Sequence, residues 1–297
     1  MPELPDVTIY VEALRERIAG HRLQLILIRG PFLLRTVRPP IDSLSGKAVQ
    51  QVRRLGKQIV VGFEENLWLS LHLMIAGRLH WKPAGAKPPG KKALAQFEFD
   101  SGTLTLTEAG TQHRASLHVF AGEDQLFDAG GLEVLEADLA AFEAALRSAN
   151  HTLKRALTDP HLFSGIGNAY SDEILHRAHL SPVSLTQRLT ASEVERLYHA
   201  VHEVLQEWVE RLRAEAGGAF PEKVTAFRPA MAVHGRYGQP CPRCGAKVQR
   251  IRYASNETNY CAACQTGGKL LADRALSRLL REDWPRSLDE MEELKRR

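Results

Sequence analysis

A chain of 297 residues, 44% hydrophobic and 25% charged, has ordinary globular composition and length enough for two domains. No apolar run reaches the roughly 18 residues of a membrane span. The first apolar stretch is broken by Glu12, Arg15, Glu16 and Arg17, which excludes a signal peptide, so a cytoplasmic protein with no membrane partner is expected.

The chain starts "MPELPDVTIYVEALRERIAG". Val7, Tyr10, Val11, Leu14 and Ile18 recur at helical spacing, with Asp6 as the expected N-cap and Gly20 as the stop. On that basis alone, Pro2 and Pro5 need only lead into a capped helix. Eight short segments then read as strands: "RLQLILIR", "KAVQQVRRL", "KQIVVGF", "LWLSLHL", "GRLHWK", "AQFEFD", "TLTLT" and "SLHVF". Repeated short strands with turn signals between them predict a β-sandwich.

From about Asp128 the pattern becomes helical, beginning with "GLEVLEADLAAFEAALRSA". "GIGN" (165–168) is a Gly-rich turn that runs into a helix, where exposed N–H groups can hold a phosphate. It serves equally as a tight interhelical turn. Thr190 and Glu193 form a capping box that opens a long helix, closed by Gly217 and Gly218.

All four cysteines fall in one segment. Cys241 and Cys244 form one C-x-x-C, and Cys261 and Cys264 form another. Two such knuckles can complete one tetrahedral, structural zinc site. A disulfide framework or a redox pair fits less well, because neither a secretion signal nor a βαβ context is present. Between the pairs, "AKVQRIRY" and "NETNY" read as two strands of a hairpin. The net charge is only +4, but basic residues gather here. Arg228, Arg236, Arg243, Lys247, Arg250, Arg252, Lys269, Arg274, Arg278 and Arg281 face only Glu257 and Asp273 between residues 224 and 281. Such a local excess suits a polyanion.

"PELPDV", "RRLGKQIVV" (53–61), "GIGNAYSDEIL" (165–175) and the cysteine unit after "VHGRYGQPC" occur in order. Together they resemble the formamidopyrimidine-DNA glycosylase and endonuclease VIII family of base-excision repair enzymes, with gaps, from Pro2 to about Cys264. The resemblance implies an α+β fold. Residues 1–130 would be an N-terminal β-sandwich with flanking helices, and 131–235 a helical domain with a helix–two-turn–helix motif. Residues 236–266 would be the zinc β-hairpin, and 267–297 a helical extension.

The resemblance also implies a bifunctional glycosylase and AP lyase. Its N-terminal proline, exposed by removal of Met1, attacks C1′ of the damaged nucleotide. It makes Pro2 the nucleophile, Glu3 the catalytic carboxylate and Lys57 a contact to phosphate near the lesion. Asn168 would also hold phosphate, and Met74 would be inserted into the duplex. The implied partner is double-stranded DNA with damaged bases or abasic sites, bound by a monomer with one structural zinc, nucleoid-associated if the source is bacterial.

Three departures accompany the match. The hairpin arginine of the family is replaced by Asn256, which leaves Arg250 and Arg252 as candidate substitutes. The family's "DPRRFG" corresponds to "EAGTQHRASLHVF" (108–120), where only His113 or Arg114 could fill the gap left by an extruded nucleotide. Thirty-three residues follow Cys264. In them, Leu270, Leu271, Ala275, Leu279 and Leu280 suggest one helix, Ser287 with Glu290 caps another, and packing on the helical domain is expected. The departures keep two alternatives open: a lyase for abasic sites or unusual lesions with little 8-oxoguanine activity, and a non-catalytic binder of damaged DNA.

Overall fold

The structure, a computed structural model, describes residues 1–86, 90, 93–109, 113–222, 224–225, 228–253, 256–272 and 285–296. Two compact units make up the chain. One holds Met1–Ala129 with Glu207–Ala226, the other Gly130–Gln206 with Phe227–Arg297.

The first unit opens with helix α1 (Leu4–Ile18), whose Leu4, Val7, Tyr10, Leu14 and Ile18 are all buried. This stripe packs on β2 and β3. Glu3, not Asp6, is the N-cap. Asp6 stands three residues further on and accepts the Glu3 N–H at 3.0 Å. The helix starts early because Pro5, in its first turn, has no N–H to leave unpaired. At the other end Gly20 takes φ 79°, as a stop requires.

All eight expected strands form: β1 (Leu23–Ile28), β2 (Val49–Leu55), β3 (Gln58–Phe63), β4 (Leu67–His72), β5 (Gly77–Lys82), β6 (Ala93–Phe99), β7 (Gly102–Glu108) and β8 (Ser116–Phe120). They make two four-stranded antiparallel sheets, ordered β1-β6-β7-β5 and β2-β3-β4-β8. The connections β4–β5 and β7–β8 cross between the sheets at one end. There β5 pairs with β7, His72 faces Ser116, and Ala109 N–H donates to Ala76 O. Residues 207–226 join this unit through Phe220, whose ring lies 5.8 Å from Tyr10 and 6.4 Å from Trp81, with Arg17 over its face.

The second unit contains α2 (Leu139–Arg147), α3 (Leu153–Thr158) and α4 (Asn168–Arg177). Helix α5 (Ala191–Ala216) starts at the expected capping box: Thr190 N–H donates to Glu193 Oε2 at 2.8 Å, and Glu193 N–H to Thr190 Oγ1 at 3.3 Å. Strands β9 (Gln249–Tyr253) and β10 (Asn256–Tyr260) form the antiparallel hairpin, followed by the short α6 (Ala262–Thr266).

The C-terminal segment ends in α7 (Leu288–Arg296), where Glu290 N–H donates to Ser287 Oγ as its capping pattern predicts. Its packing differs from expectation. Leu270, Leu271, Leu288 and Met291 cluster with Ile251, Tyr260 and Ala262 of the zinc hairpin, and Tyr260 Oη accepts the Leu271 N–H at 2.8 Å. The hairpin presents a two-residue-period apolar face that needs cover, and these residues supply it. Of the first helix expected in this segment, Ala275, Leu279 and Leu280 lie outside the described residues, and Leu270 and Leu271 are not helical.

Candidate active site and zinc centre

The N-terminus is held inward. Pro2 is buried and Glu3 is only 2% exposed. Glu3 has extended backbone angles (φ −117°, ψ −172°), pinned by its N–H bond to Asp6 and by its carbonyl, which accepts the Val7 N–H at 2.9 Å. Burial holds the α-amino group of Met1 below its ordinary value; Glu3 and Asp6 oppose this, and Arg78 and Lys57 reinforce it. Those four side chains therefore lie within electrostatic reach of the N-terminus. Lys57 reaches it from the turn between β2 and β3, where Gly56 takes φ 58°.

His72 ends β4 opposite Gln58, and its Nδ1 accepts the Met74 N–H at 3.0 Å. Burial lowers its pKa to about 4, with Lys57, His118 and the N-terminus adding to the shift. The ring is thus neutral near pH 7. The structure brings together Pro2, Glu3 and Lys57, which the sequence motifs single out, and adds His72 and Arg78, which they do not. The available signal was a histidine closing the otherwise apolar "LWLSLH" and an arginine opening "GRLHWK".

The β4–β5 turn distinguishes two neighbours. Met74 is half-buried with φ 50°, a left-handed conformation costly for its side chain. Ile75 is 58% exposed. The apolar side chain this turn offers outward is therefore Ile75, next to the residue the motif singled out. In the β7–β8 connection, buried Glu108 accepts the N–H groups of Arg114 (2.9 and 3.1 Å) and Ala115 (3.3 Å), which leaves His113 and Arg114 exposed.

In the second unit, helix α4 organises the hairpin. Asn168 Nδ2 donates to Glu257 O at 2.9 Å. Asp172, fully buried, meets Lys154 Nζ at 2.5 Å, His234 Nδ1 at 2.8 Å and the Asn259 N–H at 3.1 Å. Glu173 accepts three successive N–H groups, from Ala232, Val233 and His234, at 2.6 to 2.9 Å. Burial raises its pKa against the pull of those bonds. Buried charges of this kind persist only when so fully partnered. The "SDE" triplet (171–173) falls within the "GIGNAYSDEIL" motif, and three polar residues at the buried start of a helix are the signal for these partners.

Arg250 and Arg252 stand on β9. Arg250 Nη1 lies 3.2 Å from Glu257 Oε2, and its guanidinium 4.0 Å from the centre of the Tyr237 ring. Arg252 Nε is 3.5 Å from the same carboxylate, with its side chain 61% exposed. Asn256 opens β10 opposite Tyr253; its side chain lies outside the described atoms.

The four cysteines converge. Cys241 and Cys264 Sγ are 4.0 Å apart, Cys244 and Cys261 Sγ 3.4 Å, and all four lie within 4.8 Å of one another. A disulfide needs about 2.05 Å, whereas tetrahedral zinc at about 2.3 Å from each sulfur sets edges of about 3.8 Å. The cluster fits one structural zinc ion and leaves no open coordination position. Among the described residues, no helix is long and apolar enough to cross a membrane.

Three family models match the chain in order. The formamidopyrimidine-DNA glycosylase N-terminal domain covers residues 1–112, and the H2TH domain of the same enzymes covers 131–216. The zinc finger found in FPG and IleRS covers 238–267. The formamidopyrimidine-DNA glycosylase of Desulfitobacterium hafniense is 33% identical over 279 residues, covering 89% of this chain and all of that protein. That of Thermus thermophilus is 31% identical over 277 residues, covering 90% and 100%. Among solved structures, Lactococcus lactis Fpg in complex with abasic-site DNA superposes with a TM-score of 0.77 at 26% identity, covering 89% of this chain and 99% of that one. The same enzyme with an oxidised pyrimidine-containing DNA gives 0.78 at 27%, covering 89% and 100%.

Proposed function

The chain belongs to the formamidopyrimidine-DNA glycosylase family of base-excision repair glycosylases, and from that premise we propose that it also cleaves the strand, with Pro2 as nucleophile. The observation that carries this reading is the buried N-terminus, ringed by Glu3, Asp6, Arg78 and Lys57. A frayed terminus would argue against it.

Once Met1 is removed, Pro2 is a secondary amine. Its lone pair attacks C1′ of an extruded nucleotide, and the C1′–N bond to the base breaks. Glu3, buried beside it, supplies the proton transfers that open the sugar. The resulting iminium withdraws electrons and makes the 2′ proton acidic. Loss of that proton expels the 3′ phosphate by β-elimination, and water then releases Pro2. Extrusion is needed because C1′ is inaccessible within a stacked duplex. Lys57 is suited to a flanking phosphate. Ile75, rather than Met74, is suited to fill the vacated stack, since apolar wedges of this kind enter base steps. The zinc ion, held by Cys241, Cys244, Cys261 and Cys264, has only a structural part. The hairpin it closes brings Arg250 and Arg252, and Asn256 with them, as candidate DNA contacts.

The test is reductive trapping. Borohydride added during reaction with an abasic duplex should give a covalent protein–DNA species, linked through Pro2 and lacking Met1 by mass spectrometry. Protein that retains Met1 has an amide at Pro2 and should not trap. Equal trapping with Pro2 blocked would move the nucleophile to a lysine. Absence of trapping on every lesion would leave a non-catalytic binder.

A further inference from the structure

The segment between β1 and β2 carries an exposed aromatic ring on a rigid mount. Phe32 is 70% exposed, yet its neighbour Leu33 is 2% exposed and anchors the turn. Arg29 and Gly30 N–H groups both donate to Leu94 O, at 2.8 and 3.0 Å, and Leu33 N–H donates to Gly30 O at 3.1 Å. Beyond the turn the chain runs parallel to β8. Leu117 N–H donates to Leu33 O, Arg35 N–H to Leu117 O, and Val119 N–H to Thr36 Oγ1, each at 2.8 Å. The fixed bonds on either side hold the exposed Phe32 ring on an ordered turn, ready to meet a flat partner without further ordering.

Its position is informative. Leu117 follows Ser116, which pairs with His72 of β4, and the exposed Ile75 stands three residues beyond His72. Leu34, which bridges Leu117, therefore stands about two strand spacings, roughly 10 Å, from the His72 end of the sheet, and Phe32 lies in the turn just before it. That is the end next to the N-terminus. Phe32 also lines a cavity of about 500 Å³ with Leu94, Arg29 and His113. The His113 imidazole is half-exposed at the rim, 3.7 Å from Glu108. Between residues 22 and 41 the chain holds Arg22, Arg29, Arg35 and Arg38 and no acidic residue. An aromatic face within a cationic stretch suits a nucleobase on a phosphate backbone and disfavours a cationic partner.

We propose that Phe32 stacks on a nucleobase of the bound duplex next to the extrusion site, with Arg29 and Arg35 on the adjoining phosphates and His113 at the rim. Ile75 and Phe32 then form two apolar contacts flanking the β7–β8 connection. This rests on the DNA-repair reading above.

The test uses the full chain and a duplex with one tetrahydrofuran abasic analogue, carrying 2-aminopurine opposite it or at a flanking position. Wild-type protein should quench the probe at one of these positions. Phe32→Ala should abolish that quench and bind roughly tenfold more weakly, the size of one lost base–aromatic stack. Phe32→Trp should restore both. Phe32→Ala that quenches and binds like wild type overturns the proposal, as does weaker binding with the quench intact, or no quench by wild type at any position. Stacking is read on binding alone, so trapping measured in parallel on a duplex with a natural abasic site, which unlike the tetrahydrofuran analogue can form the iminium, keeps the two ideas apart. A wild type that traps, with no Phe32 effect, sinks only this inference. A wild type that neither binds nor traps sinks the reading beneath it.

Discussion

The side-chain amide of Asn168 donates to the main-chain carbonyl of Glu257 at 2.9 Å, so the first residue of α4 grips the second strand of the zinc hairpin. Asp172 continues the grip one turn later, through the Asn259 N–H. A residue whose motif suggests a phosphate contact is thus also part of the hairpin's mount. The two roles are compatible, since an amide N has two donors.

Asn168→Ala should weaken binding to damaged and undamaged DNA alike, by about fivefold for one lost hydrogen bond. It should also speed the loss of zinc to a chelator. Filter binding with and without a lesion, alongside chelator-release kinetics, checks both. An altered lesion preference at unchanged overall affinity would show that Asn168 reads bases instead.

Stripping the metal should disorder the hairpin. Val233 and Val248 pack directly on Cys241 and Cys261, so the ion and that small core stand together. Apo protein should bind DNA poorly while the first unit keeps its sheets by circular dichroism. Elemental analysis should give one zinc per chain; freshly purified protein without zinc would end the idea.

The β4–β5 turn gives a pair of opposed mutants. Met74→Gly should be neutral or stabilising in thermal melts, because φ 50° suits glycine. Ile75→Ala should leave the melt nearly unchanged and slow excision from duplex DNA by roughly tenfold, as loss of an inserted wedge would. A larger excision defect in Met74→Ala than in Ile75→Ala would return the wedge to Met74.

Much of this was legible because the relevant signals are local. The eight strands announce themselves as short apolar-rich segments separated by turn signals, Thr190 and Glu193 by a capping box, and the cysteines by spacing. The failures are tertiary. Nothing near Asp6 says that Glu3 will take the cap, because the choice depends on how far inward Pro2 is drawn. Leu288 and Met291 look like any helix face, and only the fold shows that the zinc hairpin is what they cover. Met74 and Ile75 are adjacent apolar residues, told apart by one backbone angle. Asp172 and Glu173 sit inside an ordinary helix pattern, and apart from Lys154 their partners described above lie about sixty to ninety residues away.

His72 should make stability depend on pH in a defined window. Its folded pKa of about 4 lies below the ordinary 6.5, so as pH falls the unfolded chain takes up the proton first. Its contribution is intact above pH 6.5 and is lost between 6.5 and about 4. At pH 5 the loss is about 2 kcal/mol relative to neutral pH. Urea midpoints for wild type and His72→Gln at pH 7 and pH 5 check this. The wild type should lose more on acidification, and equal losses would show that the ring is not held neutral.

The N-terminal amine should act as a nucleophile at lower pH than an exposed one. Burial lowers the α-amino group of Met1, and Pro2 is buried where Met1 is half-buried, so the amine freed by processing should meet the same desolvation. A lowered pKa means a larger neutral fraction at a given pH, so the acid limb of the trapping rate should fall below the ordinary value near 8. Arg78 and Lys57 push in the same direction. Removing either cation should move the limb up, and Asp6→Asn, which removes an opposing carboxylate, should move it down. Single-turnover cyanoborohydride trapping at saturating protein, from pH 5 to 9, reads these shifts separately from DNA affinity. A wild-type limb at or above pH 8, unmoved by Arg78→Ala, would mean that the amine is solvated during reaction and that the buried N-terminus opens before chemistry.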